Sequence, residues 1–203
     1  MPKPLFVTGI GTGIGKTLIS AILVEKLEAD YWKPIQSGDL DDSDTLKVQN
    51  LVNNKRSVFY PEAYRLTQPY SPHKSAALDG IVINADKIVI PATDNQLIIE
   101  GAGGLMVPLA YNFLMIDLIK NLDAEVILIS QFYLGSINHT LLSAMALKQY
   151  QIPVKGIIFN GEVDEYSRDY ILEYTGLKCL GYIPEITDIN PKSVVDATRY
   201  LNF

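Results

Sequence analysis

The sequence predicts an α/β protein built on a doubly wound, mostly parallel sheet flanked by helices. Three observations carry that reading. Short apolar runs alternate along the chain with stretches of helical periodicity, the pattern of successive βαβ units. Runs such as VILI (126–129) and GIIF (156–159) lack polar alternation, so helices are expected to cover both faces of those strands. The glycine-rich stretch GIGTGIGKTL (9–18) lies between the first apolar run and the first helical pattern.

In chain order, strands are expected at Leu5–Val7, around Tyr31–Lys33, and at Leu97–Ile99, Val126–Ile129, Gly156–Phe159 and Leu180–Ile183. The first helix follows the glycines and places Leu18, Ile22, Leu23 and Leu27 on one face. Further helices are expected at Phe113–Asn121, Ile137–Tyr150 and Glu165–Tyr174. Residues 38–95 are the least regular part, polar around Asp39–Arg56 and turn-rich through Pro61, Pro69 and Pro72, yet too apolar for disorder. With no internal repeat and no linker, the 203 residues are expected to form one domain, 1–203.

Composition narrows the function. At 48% apolar and 20% charged the chain is an ordinary globular mixture. A net charge of −6 provides no concentrated basic surface, so neither nucleic acid nor an anionic membrane is an expected partner. Cys179 is the single cysteine, which excludes an intrachain disulfide and a zinc framework and fits a reducing cytoplasm. No leader pattern and no run of membrane-spanning length is present, so a soluble chain is expected.

A strand, a glycine-rich loop and a helix in that order make a phosphate cradle, because backbone N–H groups converge there and the helix N-terminus attracts an anion. Lys16 is placed to bind the β- and γ-phosphates, and the Thr17 hydroxyl to ligate Mg²⁺. The nucleotide contacts expected from this loop are Gly13, Ile14, Gly15, Lys16, Thr17 and Leu18, in a P-loop NTPase fold. The spacing Gly9-x5-Gly15-Lys16-Thr17 is one residue longer than usual, with Ile10 where the usual motif has glycine.

A metal bridging phosphates also needs carboxylates at neighbouring strand ends. Glu100 ends the run QLIIE and precedes GAGG, at the carboxyl edge where α/β ligand sites form. The cluster Asp39, Asp41, Asp42 and Asp44 offers a second acid without indicating which, and reads equally as a solvated helix N-terminus. Lys33 would be costly to bury unpaired; its alternative is a snorkelling surface lysine.

VTGIGTGIGKT (7–17), KPIQSG (33–38), SDTL (43–46), SPH (71–73), IEGAGG (99–104), LGSINH (134–139) and GYIP (181–184) occur in an order that resembles the dethiobiotin synthetase family over nearly the whole chain. The resemblance implies a Mg²⁺- and ATP-dependent cyclo-ligase. Such an enzyme carboxylates 7,8-diaminononanoate with CO2 or bicarbonate and closes the ureido ring through a carbamate and a carbamic-phosphoric anhydride, giving dethiobiotin, ADP and phosphate. Lys16 and Lys33 would then be catalytic, neutralising charge where carbamate meets γ-phosphate. Ser37 would contact the diamine or carbamate, and Thr17, Asp44 and Glu100 would hold Mg²⁺, which selects Asp44 from its cluster. Gly101, Ala102 and Gly103 would approach nucleotide or substrate through the backbone. Asn160 would read adenine, with Gly161, Ile183, Pro184 and Glu185 around the base.

The same resemblance implies a homodimer, in which Gly135, Ser136 and Asn138 at a helix N-terminus bind the substrate carboxylate of the partner subunit. His73 and His139 read as packing or hydrogen-bonding residues, and the glycosylation pattern at Asn138 is set aside for want of a secretory route. Many family members carry an acid where this chain has Gly11 or Gly13, and an aspartate where it has Gly161. Two rival readings are a small-molecule kinase and a P-loop switch ATPase of the partition or septum-positioning type. The switch ATPases carry a lysine five positions before the P-loop lysine, where this chain has Gly11.

Overall fold

The computed structural model describes residues 2–162 and 164–203. From the N-terminus it runs β1 (Leu5–Gly9), α1 (Lys16–Leu27), β2 (Asp30–Trp32), β3 (Ile35–Ser37), α2 (Asp44–Leu51), β4 (Phe59–Tyr60), β5 (Tyr64–Leu66) and α3 (Pro72–Leu78). It continues with β6 (Leu97–Gly104), β7 (Pro108–Ala110), β8 (Phe113–Leu114), α4 (Met115–Asn121), β9 (Glu125–Gln131) and α5 (Ser136–Gln149). The last elements are β10 (Val154–Asn160), α6 (Glu165–Thr175), β11 (Cys179–Ile183) and α7 (Pro191–Ala197).

Seven strands pair in the order β11-β10-β9-β1-β6-β2-β4, every pairing parallel. β3 with β5 and β7 with β8 form two separate small ribbons. Consecutive side chains of β1 go to opposite faces: Phe6 packs with Leu128, Phe159 and helices α4 to α6, whereas Leu5 and Val7 pack with Ile127, Ile158 and helices α1, α2 and α7. The uninterrupted apolar strands are thus covered on both sides, which is the double winding expected from them.

Two local expectations are corrected, and the least regular segment resolves into short elements. Helix α1 buries six consecutive residues, Ile19–Val24, while Leu18 and Leu27 are only half-buried. A single stripe does not suffice because α1 is wedged between the sheet, α2 and α7. The expected helix at Phe113–Asn121 starts at Met115, since Phe113–Leu114 pairs with β7 and the Asp117 carboxylate accepts the Leu114 N–H at 2.8 Å, capping the helix there. Residues 38–95 contain α2, α3, β5 and the edge strand β4, elements of two to eight residues that leave little periodicity to read.

Register places the functional edge. Val7 pairs with Glu100 and Trp32 with Ile99, so the loop after β1, Glu100 on β6 and Lys33 after β2 meet at one carboxyl end of the sheet.

Candidate active site

The loop after β1 is anchored by a side chain. Ile14 is buried in the core beneath the loop, and a Cβ at Gly9 would lie 2.0 Å from its Cδ1. Gly15 caps α1 at φ +88°, a left-handed conformation that glycine adopts without steric cost. Asn160, at the end of β10, donates from Nδ2 to the Ile14 carbonyl at 3.0 Å and so braces the loop. Among the described residues its Oδ1 has no donor, which leaves it open as an acceptor. Added Cβ atoms at Gly11 and Gly13 meet nothing within 4 Å, so the family's acidic side chains are not excluded by crowding; at Gly13 the φ of +75° disfavours them.

The Lys16 ammonium donates to the Gly11 carbonyl at 2.8 Å. Burial lowers its pKa to about 8, partly countered by the Glu100 charge.

Glu100 is the hub of the site. Its Oε1 accepts from Thr17 Oγ1 at 2.9 Å and from Lys33 Nζ at 3.2 Å, and its Oε2 accepts from the Tyr31 hydroxyl at 2.9 Å. Lys33 also donates to Asp44 Oδ2 and to the Gly101 carbonyl. At 4% exposure for Lys33 and 1% for Glu100, the surface-lysine alternative is excluded. Burial alone would lower the Lys33 pKa, but the Glu100 and Asp44 charges outweigh it and the net shift is upward, so the ammonium persists. For Asp44 burial acts upward, and the Lys33 charge and hydrogen bond reverse it to a net lowering. Burial, then the Glu100 charge, pushes the Tyr31 hydroxyl well above its ordinary value, so it remains a donor.

Tertiary structure selects Asp44 among the four acids: it opens α2 toward Lys33, whereas Asp42 pairs at the surface with Lys47 at 3.4 Å. Two side chains that sequence reasoning missed hold this arrangement. Gln36 Oε1 accepts the Asp44 N–H at 3.2 Å while its Nε2 donates to the Gly38 carbonyl at 2.9 Å, tying the KPIQSG loop to the start of α2. Its place inside that motif was the available signal. Tyr31 carried none, because a tyrosine in a β-run reads as core.

A cavity of about 420 Å³ opens beside this cluster, lined by Lys33, Ser37, Asp44, Ser71, Ala102 and Gly103. Ser37 Oγ is buried there without a hydrogen-bond partner among the described residues. Gly135, Ser136 and Asn138 do not line it. They stand at the N-terminus of α5, where Gly135 and Asn138 are exposed and Ser136 is buried. Asn160 pairs in register with Ile183, and the Gly161 N–H donates to the Ile183 carbonyl at 3.0 Å. The Ile183 side chain lies wholly in the core, so only its backbone is open at that edge; Pro184 and exposed Glu185, next in the chain, line a surface cleft with Asn190 and Arg199. His73 is exposed, and His139 Nδ1 shares a hydrogen bond with the Tyr133 hydroxyl at 2.8 Å.

Known proteins match this chain at two levels. Among solved structures, the cell division ATPase MinD of Pyrococcus furiosus superposes with a TM-score of 0.62 over 98% of each chain at 13% identity, which is a likeness of fold. The AAA domain family matches residues 3–193. The ATP-dependent dethiobiotin synthetase of Christiangramia forsetii is 52% identical over 185 residues, 91% of this chain and 89% of that one. Its counterpart in Cytophaga hutchinsonii is 50% identical over 196 residues, 96% and 94% of the two chains. A shared fold is retained at 13% identity, so agreement at half of all positions along nearly the full length of both chains reflects something narrower, and within the AAA domain family the chain belongs to the ATP-dependent dethiobiotin synthetases.

Proposed function

We propose that this chain, acting as one P-loop NTPase domain over 1–203, converts 7,8-diaminononanoate, CO2 and MgATP to dethiobiotin, ADP and phosphate. The observation that carries this reading is the buried Lys33 ammonium between Glu100 and Asp44, lining a cavity with the Ser37 hydroxyl, which has no partner among the described residues. A lysine whose charge is maintained by two acids beside a phosphate loop suits a reaction in which two anions, a carbamate and a γ-phosphate, must approach each other. Ser37 is suited to hydrogen-bond the diamine or carbamate. Lys16 moves from the Gly11 carbonyl to the phosphates when nucleotide binds. The carbamate oxygen then attacks the γ-phosphorus with ADP leaving, and the second amine closes the ring with loss of phosphate.

Hard divalent cations prefer oxygen ligands, and Thr17 Oγ1, Asp44 and Glu100 Oε1 supply them beside the Lys33 ammonium, which donates to the two acids. These residues would hold Mg²⁺, which would supply charge neutralisation across the β- and γ-phosphates. Asn160 and the backbone of Gly161 and Ile183 would receive the base, with Pro184 and Glu185 at its rim. The exposed start of α5 suits a homodimer in which Gly135, Ser136 and Asn138 bind the partner's substrate carboxylate. Among the described residues no helix is long and apolar enough to cross a membrane, and cytoplasmic localisation completes the proposal.

Phosphate release should be measured with MgATP and bicarbonate, with and without 7,8-diaminononanoate, with mass detection of dethiobiotin. Strong diamine dependence with product supports the synthetase. Diamine-independent hydrolysis without product overturns it in favour of a switch ATPase, and a phosphorylated product in favour of a kinase.

Lys16 gives this reading a pH signature. With its pKa near 8 before binding, and phosphates favouring the charged form, MgATP binding at pH 8 is expected to take up roughly half a proton. Uptake should vanish near pH 6.5, where Lys16 is already charged, and affinity should fall as pH rises through 8. Calorimetry in buffers of different ionisation enthalpy measures this directly; equal apparent enthalpies at pH 8 would contradict it.

A further inference from the structure

We propose that Tyr31 is a positioning residue that determines which oxygen Glu100 presents to a divalent cation, by holding Oε2 within the sheet and leaving Oε1 for the site. The inference rests on the reading above that Glu100 meets the cation, and goes beyond it to a residue that touches neither nucleotide nor substrate. Tyr31 pairs with Ile98 across β2 and β6, so its side chain shares a sheet face with Glu100 two residues further along β6. It is wholly buried, its ring packed at a 46° tilt and 6.1 Å from Phe59, and its hydroxyl reaches Glu100 Oε2 at 2.9 Å.

The partners of Glu100 are divided without overlap. Among the described residues, Oε1 accepts from Thr17 and Lys33, and Oε2 from Tyr31 alone. A carboxylate so held offers one oxygen to a cation in a fixed orientation. Without the Tyr31 donor it can rotate about its terminal bond and offer both oxygens or neither. Partners that orient a metal ligand from behind in this way typically contribute 10–100-fold to metal affinity.

The test is Mn²⁺ binding to the protein–ADP complex, followed by electron paramagnetic resonance, in the wild type and in Tyr31→Phe, Phe59→Leu, Glu100→Gln and Tyr31→Phe/Glu100→Gln. Tyr31→Phe is expected to weaken Mn²⁺ at least tenfold and alter its spectrum. Phe59→Leu, which loosens the same packing without touching Glu100, should lower the melting temperature and leave Mn²⁺ affinity unchanged. In the Glu100→Gln background, the tyrosine substitution should have no further effect.

Unchanged Mn²⁺ affinity in Tyr31→Phe would overturn the proposal, as would an equal loss in Phe59→Leu. The double variant is a second criterion: binding weaker than in Glu100→Gln alone means that Tyr31 does not act through Glu100, and a Tyr31→Phe chain that does not fold overturns the positioning role in favour of a structural one. Failure of the underlying readings is distinguishable. Glu100→Gln with wild-type Mn²⁺ affinity would remove Glu100 as a ligand, and diamine-independent turnover in the wild type would refute the synthetase while leaving the Mn²⁺ result standing.

Discussion

Replacing Lys33 with alanine is expected to lower kcat for dethiobiotin formation by about 10²–10³-fold while changing ADP affinity only a few-fold. The loss in kcat follows from removing a preorganised positive charge at the point where negative charge accumulates, for which a single group in a buried site is typically worth that much. Nucleotide binding is expected to persist because the loop, Lys16 and the Asn160 brace do not depend on Lys33 for their contacts.

The same substitution has a second signature. Glu100 is 1% exposed and would lose its cationic partner, and breaking a buried pair from one side typically costs about 3–5 kcal/mol. The metal-free variant should therefore melt on the order of 10 °C below the wild type. Mg²⁺ with ADP should recover more of that difference than ADP alone, since a cation would again lie between Glu100 and Asp44. A Lys33→Ala variant with wild-type kcat would remove Lys33 from the chemistry.

Gly15→Ala is expected to reduce nucleotide affinity by about 10–100-fold. An alanine held at φ +88° costs about 1–2 kcal/mol, and its Cβ would lie 2.3 Å from Asn160 Nδ2. Relieving that collision displaces Asn160 from the Ile14 carbonyl, a further loss of about 1 kcal/mol, and moves the first turn of α1 that carries Lys16 and Thr17. Only the part of this cost that must be met to restore the binding geometry enters the affinity, at about tenfold for each 1.4 kcal/mol. Gly11→Ala is the control: open space surrounds that position and binding should stay near wild type. Titration with a fluorescent ADP analogue compares the two, and Gly15→Ala binding within threefold of wild type would show that Asn160 does not brace the loop.

Legibility differed between parts of the chain for a physical reason. VILI and GIIF announced strands buried on both faces because that burial is written into consecutive residues. Likewise the phosphate loop requires only glycines, Lys16 and Thr17 within a few positions of one another. By contrast β4, two residues long, is a strand only because β2 is there to pair with it. Helix α2 was obscured because its acidic start resembled any solvated terminus until Gln36 and Lys33 were brought to it.

By itself the sequence determined the sheet-and-helix alternation, the phosphate loop, and the presence of an acid at the end of QLIIE, all of them patterns of near neighbours along the chain. Only the tertiary structure decided that Lys33 is buried rather than exposed, that Asp44 rather than Asp39, Asp41 or Asp42 pairs with it, and that Tyr31 stands behind Glu100. The reason lies in separation along the chain. Lys33 and Glu100 are 67 positions apart and Tyr31 and Glu100 are 69. The energy of a buried charge depends on which partners the strand register brings within about 3 Å of it, and that register is a property of the assembled sheet.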